Sequence, residues 1–345
     1  MEVDLSLPAM RKAVLITGGE IKVPEGFRPP HRLSRSTAGP GAGHPSIVLS
    51  FQGMRVKKSI SREKGDFELV PRGSGYRLNW KGEKFLDEVS IEPVLYHSPE
   101  QAFFNLDQRC VFDCRFCTSG LLGKELTKEL TNDRVVDLIL AASEREDFKG
   151  VALTSAVAES PGKTVDRMVD IVKRVRESLP HVPVGVEPYV STKQDIERLR
   201  EVGVDEIKIN VETYDREVFQ KVCGKMDMDW ILRAIDHACK VFGRGKVCSN
   251  IIYGMGETDR NVLQGVGDLA SMGCVATLRA LRLDAFNRER LEEVLGPLEP
   301  VTPERMVDLA TRQRKILEGR GLSTLTFHTM CHECACCDIV PFRDI

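Results

Sequence analysis

Two patterns of apolar and polar positions divide the chain. Between residues 46 and 98 they alternate, in SIVLSFQGM, FELVPRG, YRLNWKGEKF and VSIEPVLYH, with Gly-containing turns between the segments. A period of two belongs to half-buried strands, so this stretch predicts a small β-rich unit. Beyond residue 100 short apolar runs take over: AFFNLD (102–107), GVALTSA (150–156), VPVGVEP (182–188), EIKINVE (206–212), KVCSNIIYG (246–254) and ATLRALRL (276–283). Helical spacing of apolar residues fills the gaps, over 131–146, 163–178, 192–202, 227–242, 258–272 and 303–319. Thr131 or Asn132 stands where the first of these helices needs a cap, and Thr192 and Thr302 where two others do. Six strand–helix units in series predict an α/β fold: a parallel sheet curled into a partial (β/α)6 barrel, with its chemistry at the C-terminal strand ends.

Residues 1–44 follow neither period and are expected to be irregular. The segment RPPHRLSRSTAGPGAGH (28–44) is too rich in Gly, Pro and Ser for a regular element. It reads either as a surface linker or as a loop over the active site that brings Arg32 or Arg35 to an acidic group. LSTLTF (322–327) is strand-like and leads into a Cys-rich end. The expected organisation is an irregular and β-rich extension at 1–98, the partial barrel at 99–320 and a Cys-rich tail at 321–345.

Composition narrows the classes of function. The 345 residues carry a formal net charge of −2 with both signs interspersed, which favours neither nucleic acid nor a membrane surface as partner. No apolar run reaches the ~18 residues of a membrane-spanning helix. The first residues lack the basic–apolar–small order of a secretory leader, so a cytoplasmic protein is expected. Its eleven cysteines then signify something other than disulfides. Seven are gathered into two groups, Cys110, Cys114 and Cys117, and Cys331, Cys334, Cys336 and Cys337. Such crowding of thiols marks metal or iron–sulfur ligation. Cys223, Cys239, Cys248 and Cys274 are scattered in apolar segments and read as small core residues.

The first group spells CVFDCRFC, directly after the first barrel strand. Three thiolates on a cubane leave one iron free, as an open catalytic metal site requires. A structural zinc wants a fourth Cys or His, and this loop offers none. The Cys-x3-Cys-x2-Cys spacing, with Phe116 before the last Cys, resembles the radical S-adenosylmethionine (SAM) superfamily over about residues 100–285. The resemblance implies a [4Fe–4S] cluster on Cys110, Cys114 and Cys117, with the amino and carboxylate groups of SAM on the fourth iron. It implies reductive cleavage of SAM to methionine and a 5′-deoxyadenosyl radical that takes hydrogen from an unactivated carbon. It further implies an electron donor such as ferredoxin or flavodoxin, and a small-molecule or carrier-protein-bound substrate.

Other strand ends carry the resemblance further. LTSAVAES (153–160) is similar to the second-strand segment of lipoyl synthases and puts Thr154 and Ser155 where the superfamily binds the SAM amino group, although the usual Gly-Gly-Glu is absent. KINVET (208–213) resembles their fourth strand, where alternation sets Lys208, Asn210 and Glu212 on one face; idle burial of such groups is costly, so SAM or substrate is their expected partner. NIIYGMGET (250–258) resembles the fifth-strand segment around adenine and carries that role to Ile252, Gly254, Gly256 and Glu257. LRALRLDAF (278–286) ends the sixth strand, with Arg279 or Arg282 toward the SAM carboxylate or an acidic substrate.

The second group lies in FHTMCHECACCDIVPF, with His328 and His332 nearby. Four thiols in seven residues suffice for a metal site, but the side chains of adjacent Cys336 and Cys337 diverge, so Cys248 or His328 is a further ligand candidate. An auxiliary iron–sulfur cluster is expected over a zinc knot. Within the superfamily the nearest resemblance is to biotin and lipoyl synthases, including the archaeal lipoyl type. These insert sulfur into C–H bonds at the expense of an auxiliary cluster, which implies a sulfurtransferase-like transferase. The bacterial lipoyl synthases' N-terminal auxiliary Cys motif and C-terminal Arg-Ser-Ser-Tyr are missing. Radical SAM methylation, rearrangement or cofactor assembly are the alternatives within the class. A non-catalytic zinc or iron–sulfur carrier is the alternative outside it.

Overall fold

The computed structural model describes residues 4–34, 44–122 and 130–345. Its first element overturns the expectation of an irregular N-terminus: α1, Pro8–Thr17, is a helix. Its residues are good helix formers with Pro in the first turn, but Leu7 at the N-cap offers no side-chain acceptor, so the usual start signal is missing. Six strands follow: β1 (Ile21–Lys22), β2 (Ser46–Phe51), β3 (Met54–Ser61), β4 (Phe67–Arg72), β5 (Gly75–Trp80) and β6 (Glu83–Glu92). They close into a small barrel in the order β1-β3-β2-β6-β5-β4, with β1 parallel to both β3 and β4. SIVLSFQGM therefore holds a hairpin turn at Gln52–Gly53, both at positive φ, rather than one strand.

Strand β3 escaped the sequence pattern because Lys57 and Lys58 look like an exposed face. Both are buried. The Lys58 Nζ donates to the carbonyls of Leu15 (2.6 Å) and Gly18 (2.7 Å), placing a cation at the C-terminal end of α1. Burial, with Arg282 nearby, pushes its amine down to about 7.

The second unit is a six-stranded parallel sheet in sequential order: β7 (Gln101–Asn105), β8 (Gly150–Thr154), β9 (Val184–Glu187), β10 (Glu206–Lys208), β11 (Val247–Tyr253) and β12 (Cys274–Ala280). The intervening helices are α2 (Asn132–Ser143), α3 (Pro161–Ser178), α4 (Lys193–Glu201), α5 (Arg216–Val222), α6 (Met228–Phe242) and α7 (Asp259–Met272), followed by α8 (Arg288–Leu295) and α9 (Pro303–Glu318). Thr131, Thr192 and Thr302 cap α2, α4 and α9 through their hydroxyls, and α4 has a full capping box with Asp195. α5 and α8 were not legible as separate helices. β10 is shorter than EIKINVE predicts, but Glu212 resumes bridging to β11 at Ile251. No described helix is long and apolar enough to cross a membrane.

The sheet stays open between β7 and β12, and the tail enters the barrel from the strands' N-terminal ends. LSTLTF makes a 3-10 turn at Thr324–Thr326 rather than a strand, because the Ser323 side chain accepts from the Leu325 N–H. His328 N, Thr329 N and Thr329 Oγ1 then donate to the buried Glu206 carboxylate at 2.9, 3.0 and 2.6 Å. Gln101 clamps Met330 through both its amide atoms. α10, Met330–Cys334, climbs inside. Beyond it the Ala335 carbonyl accepts from Lys12 Nζ (2.6 Å) and the Cys336 carbonyl from Lys57 N (2.9 Å), joining the tail to the small barrel.

Candidate active site

The CVFDCRFC loop follows β7 and is held mainly by backbone bonds. Cys110 N donates to Ser119 O (3.1 Å), Val111 N to Val157 O (2.8 Å) and Arg115 N to Val222 O (2.9 Å). Arg290 donates to the carbonyls of Arg115 and Cys117 and to Asp113. All three cysteines are half-buried, and loop N–H groups turn toward sulfur: Ser119 N lies 3.4 Å from Cys117 Sγ. Burial pushes the Cys110 and Cys117 thiols up, opposed by these amides. Cys223, read as a core residue, is buried as expected, yet it also abuts Cys114.

The three cysteines open onto a cavity of about 1260 Å³ at the C-terminal strand ends. Phe116, Thr154, Ser155, Asn210, Glu212 and Ile252 line it, as do Lys208, Arg279 and Arg282. Gly254 and Gly256 are not among its lining residues. Both have positive φ, and a Cβ on Gly254 would come within 2.6 Å of Val301 Cγ2, so that glycine makes room for Val301, which lines the cavity. Glu257 is buried away from the cavity: its carboxylate accepts from Gly254 N (2.7 Å) and Met255 N (2.8 Å) and pairs with Arg305. Arg32 lines the cavity with its guanidinium 5.3 Å from the Tyr96 ring centre. Arg35 lies outside the described residues.

The fourth-strand face is the polar heart of the cavity. Asn210 Nδ2 donates to Glu187 Oε1 (2.7 Å), its Oδ1 accepts from Asn250 N (3.1 Å), and Lys208 Nζ lies 3.2 Å from Glu187 Oε1. Glu187 was missed in the sequence, although it is a polar residue closing an apolar strand as Thr154 is. Glu212 has φ 66°, a left-handed conformation held by bonds to Asn250 O (3.1 Å) and from Ile252 N (2.6 Å). Burial, then the neighbouring Glu187, pushes its carboxyl up to about 7. A raised carboxyl binds its proton more tightly in the folded state. Its contribution to stability is therefore full below about pH 4.5 and lost as pH rises through about 7. Glu212→Gln is expected to remove that slope, gaining about 2 kcal/mol over wild type at pH 8 relative to pH 5 once partial exposure is allowed for. Denaturant midpoints at the two pH values measure it; identical slopes refute it.

The tail cysteines line the same cavity: Cys331, Cys334, Cys336 and Cys337. Lys208 Nζ and Arg279 Nη2 each lie 3.4 Å from Cys331 Sγ, and Arg279 also pairs with Asp338 at 3.1 Å. Hydrogen bonding with Cys336 pulls the Cys334 thiol down to about 7, while burial pushes Cys337 up to about 12. The extra ligand candidates stand apart. His328 is exposed at the strands' N-terminal ends, and Cys248 is buried within β11 outside the lining. His332 is buried 3.3 Å from Thr277 Oγ1, and burial lowers it to about 3, so its ring is neutral. Among the described residues no three His, Cys, Asp or Glu side chains converge as for a single ion.

Residues 105–266, from the end of β7 into α7, match the family model described as Radical SAM superfamily. The chain carries a radical SAM domain. Over 221 residues it is 23% identical to the probable GTP 3′,8-cyclase of Pyrococcus abyssi, covering 63% of this chain and 69% of that one. Over 251 residues it is 25% identical to the biotin synthase of Persephonella marina, covering 66% and 68%. Among solved structures, the FeFe-hydrogenase maturase HydG of Carboxydothermus hydrogenoformans superposes with a TM-score of 0.52 at 19% identity. That match spans 64% of this chain and 52% of HydG, and it bears on the fold alone. Superfamily membership supports SAM-cleaving radical chemistry with a [4Fe–4S] cluster and an electron donor. The radical SAM loop fits such a cluster: three thiols open on one cavity, amides turn toward sulfur, and polar groups stand opposite.

Proposed function

We propose that this radical SAM enzyme works on a substrate held between two iron–sulfur clusters, one on Cys110, Cys114 and Cys117 and an auxiliary one on the tail cysteines, and that the second supplies sulfur to the activated carbon. The observation that supports this reading is that both groups of cysteines line one cavity. The first cluster, when bound, supplies the electron that splits the C–S bond of SAM. The chain's own residues do the rest. Thr154, Ser155, Asn210 and Glu212 offer hydrogen bonds to SAM, and Ile252 and Phe116 offer apolar contact. Lys208 and Arg279 surround Cys331 with positive charge, which suits a negatively charged thiolate-ligated centre. The tail and the small barrel close the barrel's open side and limit water around reactive species. The biotin synthase relatives are named for a sulfur-containing product and the GTP 3′,8-cyclase relatives for a cyclisation, so the choice of reaction rests on the shared cavity and not on the names.

Iron and sulfide analysis of the reconstituted chain against a variant with Cys331, Cys334, Cys336 and Cys337 all changed to Ser tests the proposal. About four irons are expected to be lost if the auxiliary centre is a cubane, and about two if it is a two-iron cluster. The first cluster's SAM cleavage should survive. Unchanged iron, with zinc lost instead, would leave a structural knot and no sulfur donor.

A further inference from the structure

Most cations on the tail side of the cavity are already partnered. Lys208 lies by Glu187, Arg279 pairs with Asp338, and Lys57 Nζ donates to His97 O at 3.1 Å. Arg282, two residues beyond β12, differs. It lines the cavity, half-buried, and its one hydrogen bond among the described residues is made by its main-chain carbonyl, which accepts from Asn287 Nδ2 at 2.9 Å. No carboxylate among the described residues pairs with its guanidinium. Its charged neighbour across the wall is Lys58, whose own donors are taken by Leu15 O and Gly18 O. Asp284 and Glu20 are near Arg282 but form no ion pair with it among the described residues, so its donors are left to the cavity. A guanidinium withdrawn from water without a hydrogen-bonded partner is costly, and burial pushes Arg282 below its ordinary value although Cys337, Asp284 and Glu20 oppose it. Its planar fork of donors matches the two oxygens of a carboxylate or phosphate.

Position decides which molecule brings that anion. Asn287 links the Arg282 carbonyl to the Phe116 carbonyl of the cysteine loop (3.5 Å), while Cys337 of the tail lies near enough to act on the guanidinium. Arg282 thus stands between the two groups of cysteines. The cavity, at about 1260 Å³, exceeds the ~300–1,000 Å³ of a usual one-ligand pocket and has room for two molecules. We infer that Arg282 is the receptor for a carboxylate or phosphate group of the second molecule in the cavity, so that the substrate of this enzyme is an acid. The inference rests on the two-cluster reading of the cavity.

Ligand-observed NMR on the reconstituted chain tests it with hexanoate, hexanamide and inorganic phosphate as probes, and SAM affinity is measured in the same preparations. Hexanoate or phosphate should bind wild type, and hexanamide should not. R282Q should weaken the anion at least tenfold, with R282K between the two and SAM affinity changed less than twofold. Hexanoate alone assigns a carboxylic substrate and phosphate alone a phosphorylated one. Absence of anion binding by wild type, or equal binding by R282Q, overturns the inference. A tenfold loss of SAM affinity with the anion probes unaffected also overturns it and gives the guanidinium to the SAM carboxylate. If R282Q does not fold, judged by melting and iron content, R282K carries the same comparison. Unchanged iron in the tail-cysteine variant would sink the two-cluster reading while leaving the anion result standing.

Discussion

Changing Cys110, Cys114 and Cys117 together to Ala is expected to reduce 5′-deoxyadenosine formation from SAM to background, while the protein keeps its fold. The loss is total because the three thiols are the only cysteines on the loop, so the cluster has no substitute ligand there. The fold should survive because backbone bonds and Arg290 hold the loop, and the half-buried thiols contribute little packing. Iron content should fall and the melting temperature stay within a few degrees. Continued SAM cleavage by the reconstituted triple variant would defeat the radical SAM assignment of this loop.

Gly185→Val is expected to dislodge the tail. A Cβ at this position in β9 would fall onto Thr329 Oγ1 and within 3.0 Å of Met330 Cε. Overpacking of this kind costs typically 1–3 kcal/mol. If Thr329 yields instead, the Glu206 carboxylate, with no solvent exposure, keeps Lys246 at 3.5 Å but loses the Thr329 hydrogen bonds, and unsatisfied buried groups cost about 1–3 kcal/mol. Either route lowers stability and frees Cys334 and Cys336, which are buried in wild type, to alkylating reagents in the cluster-free protein. Gly185→Ala should show a weaker form of both effects. Unchanged stability and unchanged thiol protection in the Val variant would mean that the tail does not depend on this contact.

Much of the second unit was legible because its strands are buried on both faces and its helices are amphipathic, patterns that depend on local sequence alone. The three threonine caps followed for the same reason. The polar face of Lys208, Asn210 and Glu212 also followed from alternation, even though regular pairing stops at Lys208, because Glu212 rejoins β11 by a bridge. What escaped depends on distant partners. β3 is a strand because Lys57 and Lys58 reach carbonyls of His97 and of α1, and nothing near them in sequence signals that. α1 begins without a side-chain cap. The tail's path was unreadable because Glu206 and Gln101, which hold it, look like ordinary strand-start polar residues until the barrel gathers them. Gly254 and Gly256 matched a motif, but neither lines the cavity: Gly254 makes room for Val301, which does, and Gly256 serves only its positive φ.

The contact between Lys12 Nζ and the Ala335 carbonyl joins residues 323 apart in sequence. Loop closure over such a span is slow compared with pairing between successive strands and helices, which places tail docking late in folding. Until then the barrel remains open on the side that the tail and small barrel later fill. The tail thiols meanwhile stay accessible, so the auxiliary cluster proposed above would have a time window for loading before docking. A chain that docks its tail unloaded would bury Cys334 and Cys336 and close that window. Supply of iron and sulfide during folding, more than afterwards, would then govern how much of the protein carries the proposed second centre.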